Sequence, residues 1–276
     1  MFRNVLSLSD TFEFTGRISN ESVDLIICDG PYAVTSQEWD KVGSIQKYNL
    51  ELLRNFSRIL KPGGTLYLFG KHDAIDFIDY SGYLKLNNRI IWYQPSRLAQ
   101  GRNNYTDNYD VIFYFSKGKN GVFNLDDIRV PQLVELVHRK RCENVPSVKN
   151  GKFGKTKFNP NGKNPGNVWG DIKQLTYKSK ELIDRNLLNT IQKPEKLMER
   201  LILASSSKGE VVFDPFMGTG TALKVALESG RKIMGCESDP KLFEIARSRI
   251  KNSSSSDLVS VDYTDHLTEK SISLAL

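Results

Sequence analysis

The chain has 276 residues, 39% apolar and 26% charged, enough for one domain with a sizeable insertion and a well-buried core. No run approaches the roughly 18 apolar residues of a membrane span, and MFRNVLSLSDTF reaches acidic residues too early for a signal peptide, so a cytoplasmic protein is expected. Three cysteines, none in a CxxC pair, argue against a disulfide framework or a zinc site, and the net charge of +7 favours a polyanionic partner only where it clusters.

A first strand-like run, VLSLSD, ends at Asp10. Val23 to Cys28 (VDLIIC) reads as a buried strand and runs directly into Asp29-Gly30-Pro31-Tyr32. Tyr48 to Leu60 has helical apolar spacing and is closed by Lys-Pro-Gly-Gly, a helix stop. Thr65 to Phe69, Arg89 to Tyr93 and Asp110 to Phe115 are further strands. From about Arg129 to Leu188 the composition turns to Lys, Asn, Gly and Pro. From His138 to Lys193 there are 13 Lys/Arg against 4 Asp/Glu, so the rest of the chain is close to neutral. Either a polyanion partner or a solvated lysine-rich face produces that pattern. Phe153, Phe158, Val168 and Trp169 within it favour an inserted recognition element over disorder. Beyond it come a helix at Pro194 to Ala204, a strand at Glu210 to Asp214, a helix at Thr219 to Leu227, a strand at Lys232 to Glu237 and a helix at Pro240 to Ile250. Residues 251–276 open with KNSSSSD and read as a tail. Cys28 and Cys236 end apolar runs and are expected in the core. Strands alternating with helices predict an α/β fold with a mostly parallel sheet.

Two stretches carry chemistry. Asp214-Pro215-Phe216-Met217-Gly218-Thr219-Gly220-Thr221 joins a strand to a helix. Its glycines let a ligand approach the backbone. Neither the dinucleotide fingerprint nor a P-loop is present. Glu237, at the end of the next strand, stands where an acid accepts ribose hydroxyls in open α/β sheets. Together they read as a site for a nucleoside-containing cofactor. In Asp29-Gly30-Pro31-Tyr32, Asp29 and the carbonyl of Gly30 can accept bonds from an exocyclic amine, and Tyr32 can stack on its base. A plain strand-end turn of the Gly-Pro type is the alternative.

These two stretches resemble motif IV and motif I of the DNA amino-methyltransferases, in the motif order of their β group. Gln192-Lys193-Pro194 with Leu197 and Arg200 is similar to motif X, Trp39-Asp40 to a pair that often follows motif IV, and FNPNGKNPGNVW to a segment near the recognition region. The resemblance spans about Asn4 to Ile250. It implies a doubly wound, mostly parallel seven-stranded sheet of the Rossmann-like methyltransferase kind, in permuted motif order, with residues 1–250 as the methyltransferase domain and 129–188 as its basic recognition insert. It implies an enzyme moving methyl from S-adenosylmethionine to N6 of an adenine flipped out of double-stranded DNA. The catalytic residues would be Asp29, Gly30, Pro31 and Tyr32. The cofactor residues would be Asp10, Gln192, Lys193, Asp214, Phe216, Gly218, Thr219, Gly220, Thr221 and Glu237. Asp10 reads equally as a helix cap and Lys193 as a surface lysine. Arg97, Arg102, Arg139, Lys140 and Arg141 are candidates for DNA contacts. No metal is expected. A homodimer and a cognate restriction endonuclease are compatible partners. An N4-cytosine enzyme, a catalytically silent DNA-binding subunit and an RNA or protein-glutamine methyltransferase are the competing readings. Position 30 is Gly where the family usually has Pro. Pro31 already biases residue 30 towards extended backbone, and Pro at 30 would remove backbone freedom while keeping the carbonyl, so Gly30→Pro is expected to be tolerated or to raise the rate.

Overall fold

The computed structural model describes residues 4–33, 40–95, 103, 105–119, 121–132, 146–149, 152–155, 159–183, 192–253 and 258–262. In chain order these give β1 (Asn4–Leu8), α1 (Thr11–Arg17), β2 (Val23–Cys28), α2 (Ile45–Ile59), β3 (Leu60–Gly70), β4 (Lys85–Tyr93) and β5 (Tyr109–Ser116). After a hairpin of β6 (Pro146–Lys149) and β7 (Lys152–Lys155) come β8 (Val168–Trp169), α3 (Glu195–Ser205), β9 (Val211–Asp214), α4 (Thr221–Glu228), β10 (Lys232–Glu237), α5 (Pro240–Ser253) and β11 (Leu258–Asp262).

The main sheet runs β11-β1-β10-β9-β2-β3-β5-β4-β8. Its pairs are parallel except where β5 meets β3 and β4. Period-two alternation divides each central strand between two cores. Val23, Ile26 and Cys28 of β2 join Phe14 of α1 and Leu52, Leu53, Phe56 and Ile59 of α2. Leu25 and Ile27 join Leu197 and Leu201 of α3, Leu223 of α4 and Phe243 of α5 on the other face. The sheet is therefore covered by helices on both sides, as the doubly wound reading requires. Cys28 and Cys236 are fully buried, matching their assignment to the core.

Strand order reverses between β9 and β2. From β9 the chain crosses through α4 to β10 on one side, and from β2 through α2 to β3 on the other. At such a switch point the loops diverge and leave a crevice outside the carboxyl ends of the strands. β2 and β9 are direct neighbours, with Ile26 opposite Phe213, so the crevice opens between Asp29 and Asp214.

Four details differ from the sequence reading. Seven strands form the body of the sheet, and β11 and β8 are added at its edges. β11 lies in the stretch read as a tail and pairs in parallel with β1. Val168–Trp169, assigned to the insert, pairs with β4, because Trp169 is apolar enough to be buried to 4% exposure. The Lys-Pro-Gly-Gly stop lies inside β3 as an irregularity against β2, with Gly63 and Gly64 bonded to Lys117.

Candidate active site

β2 delivers Asp29 to the crevice, and Pro31 turns the chain away. Asp29 Oδ1 accepts the Tyr32 hydroxyl at 2.7 Å, and Oδ2 accepts Lys193 Nζ at 2.6 Å. Burial, with the nearby Asp29 charge, pushes the Tyr32 phenol well above its ordinary range, so Tyr32 remains a neutral donor. The Lys193 ammonium also lies 5.7 Å from the Tyr32 ring centre and 5.3 Å from that of Phe69. Asp40, 1% exposed, accepts the backbone N–H of Tyr32 at 2.6 Å and that of Ala33 at 2.8 Å. Ala33 sits at φ +55°, a conformation uncommon for a side-chain-bearing residue, and the paired bonds to Asp40 hold it. A Cβ built on Gly30 would stand 2.8 Å from the Phe216 ring.

Across the crevice, Asp214 Oδ1 accepts the Phe216 N–H at 3.1 Å. Burial pushes the Asp214 carboxyl up to about 8, and Asp29 and Glu237 add to this while the Phe216 N–H and Lys193 oppose it. Gly218 and Gly220 take φ +50° and +77°, which glycine reaches without strain. Glu237 Oε2 accepts the Gly218 N–H at 2.9 Å, and Oε1 accepts those of Ser238 and Asp239 at 2.9 Å each. This carboxylate ties the glycine turn to the end of β10, and burial raises its affinity for a proton. Gly235 in β10 lets Leu223 of α4 press onto the strand where a Cβ would collide with it.

The other candidates make separate contacts. Asp10 caps α1, its Oδ1 accepting the N–H of Phe12 at 2.7 Å and of Glu13 at 3.3 Å. It also lies beside Glu237, whose carbonyl accepts the Ser9 N–H. Gln192 reaches the carbonyl of Glu181 at 2.9 Å and accepts the Ile183 N–H at 3.3 Å. The Thr219 carbonyl and the Thr221 hydroxyl accept from Arg249, which also pairs with Glu195. Arg200 pairs with Asp171 and lies 4.9 Å over the Trp169 ring. Arg97, Arg102, Arg139, Lys140, Arg141, Trp39, Phe153 and Phe158 are outside the described residues or their described side chains.

Asp29, Tyr32, Lys193, Asp214, Phe216, Gly218 and Glu237 thus share one crevice. Sequence reasoning names Asp40 only within the Trp-Asp pair and gives it no role in holding the turn. Its signal is an acid close behind a turn whose amide groups need an acceptor. The β6–β7 hairpin is missed too, although Asn150-Gly151 between SVK and KFGK is a two-residue hairpin signal.

The donor set fits a cationic nucleoside. β1, β10, β9 and β2 each have an acid at the strand end or within two residues of it, in the order Asp10, Glu237, Asp214 and Asp29. A carboxyl held at about 8 is stabilised in its charged form by an incoming cation. A Cβ on Gly218 would meet nothing nearer than 4.0 Å, so the turn is open to a ligand.

Residues 23–248 match the DNA methylase family of N6/N4 amino-methyltransferases. The type II methyltransferase M1.MboII of Moraxella bovis is 32% identical over 241 residues, covering 85% of this chain and 91% of that protein. The DNA adenine methyltransferase YhdJ of Escherichia coli (strain K12) is 32% identical over 243 residues, covering 85% and 78%. Among solved structures, TTHA0409 of Thermus thermophilus, complexed with S-adenosyl-L-methionine, superposes with a TM-score of 0.64 at 22% identity, covering 96% of this chain and 100% of that one.

Proposed function

The chain belongs to the DNA methylase family and uses S-adenosylmethionine, and from that membership we propose that it methylates N6 of an adenine flipped out of double-stranded DNA. The observation that supports the reading most directly is the position of Asp29. It is an acceptor at the end of β2, at the switch point, one strand from the cofactor turn. It is joined to a tyrosine ring able to stack on a base.

The exocyclic amine of adenine is a poor nucleophile because its lone pair is delocalised into the ring. Asp29 and the Gly30 carbonyl accept its two N–H bonds, which favours a pyramidal nitrogen with its lone pair directed across the crevice. S-adenosylmethionine supplies an electrophilic methyl on a positively charged sulfur. Asp29 stabilises the positive charge that grows on the nitrogen, a preorganised electrostatic contribution. Tyr32 covers the face of the base. On the cofactor side, the open turn at Gly218 and Gly220 would lie against the ligand, Asp214 would offset its positive charge, and Glu237 would accept from the ribose. Oε2 of Glu237 has a lone pair beyond the one used by Gly218.

Adenine is favoured over cytosine by Asp at position 29 and by the adenine named for the relative YhdJ. The N4-cytosine reading keeps every residue role above. A silent DNA-binding subunit is suggested only by Gly30. The decisive experiment is transfer of labelled methyl to duplex DNA, followed by mass spectrometry of the nucleosides. N6-methyladenine is expected, N4-methylcytosine would shift the assignment of the base, and no product from well-folded protein would favour the silent subunit. Asp29→Ala should lower the rate on the order of a hundred- to a thousandfold. A cytoplasmic location belongs to the same reading. Among the described residues, no helix is long and apolar enough to cross a membrane.

A further inference from the structure

We propose that Lys193 is a positioning residue for the base-binding turn, its ammonium holding the Asp29 carboxylate and the Tyr32 ring in the arrangement that receives the target amine. The inference rests on the reading of Asp29 as the amine acceptor. It moves Lys193 from the cofactor, where the sequence resemblance put it, to the opposite wall of the crevice.

Lys193 is 4% exposed and its Nζ is 2.6 Å from Asp29 Oδ2. A buried ammonium is costly without a charged partner, and Asp29 is the acid it contacts. The two residues are 164 positions apart, so the pair bolts the segment before α3 to the end of β2. In the permuted order, that joins the half carrying the cofactor turn to the half carrying the base turn. The same ammonium lies over the Tyr32 ring at 5.7 Å, within the range of cation–π attraction. One side chain therefore restrains both the acceptor and the stacking surface.

The two oxygens of Asp29 are held unequally. Oδ1 has a neutral donor, the Tyr32 hydroxyl, and Oδ2 a charged one. Charge-assisted bonds are roughly twice as strong as neutral ones. When the target amine arrives, the Tyr32 hydroxyl is the donor that yields, while Lys193 keeps Oδ2 anchored. The carboxylate then presents Oδ1 in a fixed orientation. Lys193 also offsets repulsion within the acidic row, being among the groups that draw the Asp214 proton affinity down.

The test is a double-mutant cycle read by single-turnover methyl transfer to duplex DNA at saturating cofactor, with calorimetry for cofactor binding and thermal melting for folding. Lys193→Met should slow transfer roughly ten- to a hundredfold, the scale of a misplaced reacting group, while cofactor affinity, which Lys193 touches only through Asp214, changes far less than the rate. Lys193→Arg should recover part of the rate. In an Asp29→Asn background, Lys193→Met should cost far less, because the charge it serves is gone. A purely structural lysine would lower the melting temperature and cost the same in both backgrounds, which would overturn the inference. So would a loss confined to cofactor affinity, which would return Lys193 to the cofactor. If Lys193→Met does not fold, Lys193→Gln and Lys193→Arg carry the same cycle. An active wild type with normal Lys193 variants overturns the inference alone. An Asp29→Asn enzyme with the wild-type rate overturns the reading of Asp29 and the inference together.

Discussion

Gly30 and Phe216 face each other across the crevice, and the ring fills the space that a side chain at position 30 would take. Judged by backbone alone, Gly30→Pro is tolerable; with Phe216 in place, it must push the ring aside. Overpacking of this kind costs about 1 to 3 kcal/mol; borne fully by the transition state, that lowers transfer by roughly five- to 150-fold, and Gly30→Pro should fall within this range. Phe216→Leu added to it should restore part of the rate. Label-transfer assays on the single and double variants check this, and a wild-type rate for Gly30→Pro would show that the ring gives way freely. Asp214 makes a second prediction at this scale. Its carboxyl is held at about 8 against an ordinary 3.8, so at neutral pH it is mostly protonated in the free protein. A cation binds the ionised form better, so cofactor binding should release a proton and its affinity should rise with pH until about 8. Calorimetry in buffers of different ionisation enthalpy measures that proton. The sign for folding is opposite. The folded chain holds a proton there that the unfolded chain loses near 3.8, so this group's contribution to stability falls as pH rises from about 4 to about 8.

Within the basic insert expected to meet DNA lies the β6–β7 hairpin, paired from Pro146 opposite Lys155 to Lys149 opposite Lys152. It forms its own two-stranded sheet and carries three lysines in eight strand residues, Lys149, Lys152 and Lys155. A two-stranded ribbon has the dimensions to approach a DNA groove. Replacing the three lysines with glutamine should reduce the salt dependence of DNA binding, by about 0.9 in log–log slope for each phosphate that is no longer neutralised. Binding isotherms at several salt concentrations test it. An unchanged slope would place the hairpin away from the DNA.

Across the whole molecule, the parallel sheet ends at β11 beside β1, five residues in register from Asn4 opposite Leu258 to Leu8 opposite Asp262. Removing residues 254–276 would expose the edge of β1, and with it a row of unpaired backbone groups. The truncated chain should melt several degrees lower, since about 1 kcal/mol corresponds to roughly 2 to 4 °C at this size. Methyl transfer below the melting point should survive, because the crevice lies three strands away, between β9 and β2. Differential scanning calorimetry and label transfer on the same sample separate these outcomes.

The elements of the body, the two turns and their family are legible along the chain. Local patterns encode these: a β-branched run such as VDLIIC favours a strand, and glycines at 218 and 220 favour a turn. The motifs at Asp29 and Asp214 both fall at ends of neighbouring strands beside the switch point, where a ligand crevice is expected. What depends on residues far apart in the chain emerges only on folding. Lys193 is bonded to Asp29 from 164 positions away, and no local spacing distinguishes it from a cofactor contact. Phe216 fills the space beside Gly30 only because β9 and β2 are neighbours. Val168–Trp169 and Leu258–Asp262 are too short and too poorly patterned to announce themselves as strands. They become strands because the open edges at β4 and β1 offer unpaired backbone groups to bond.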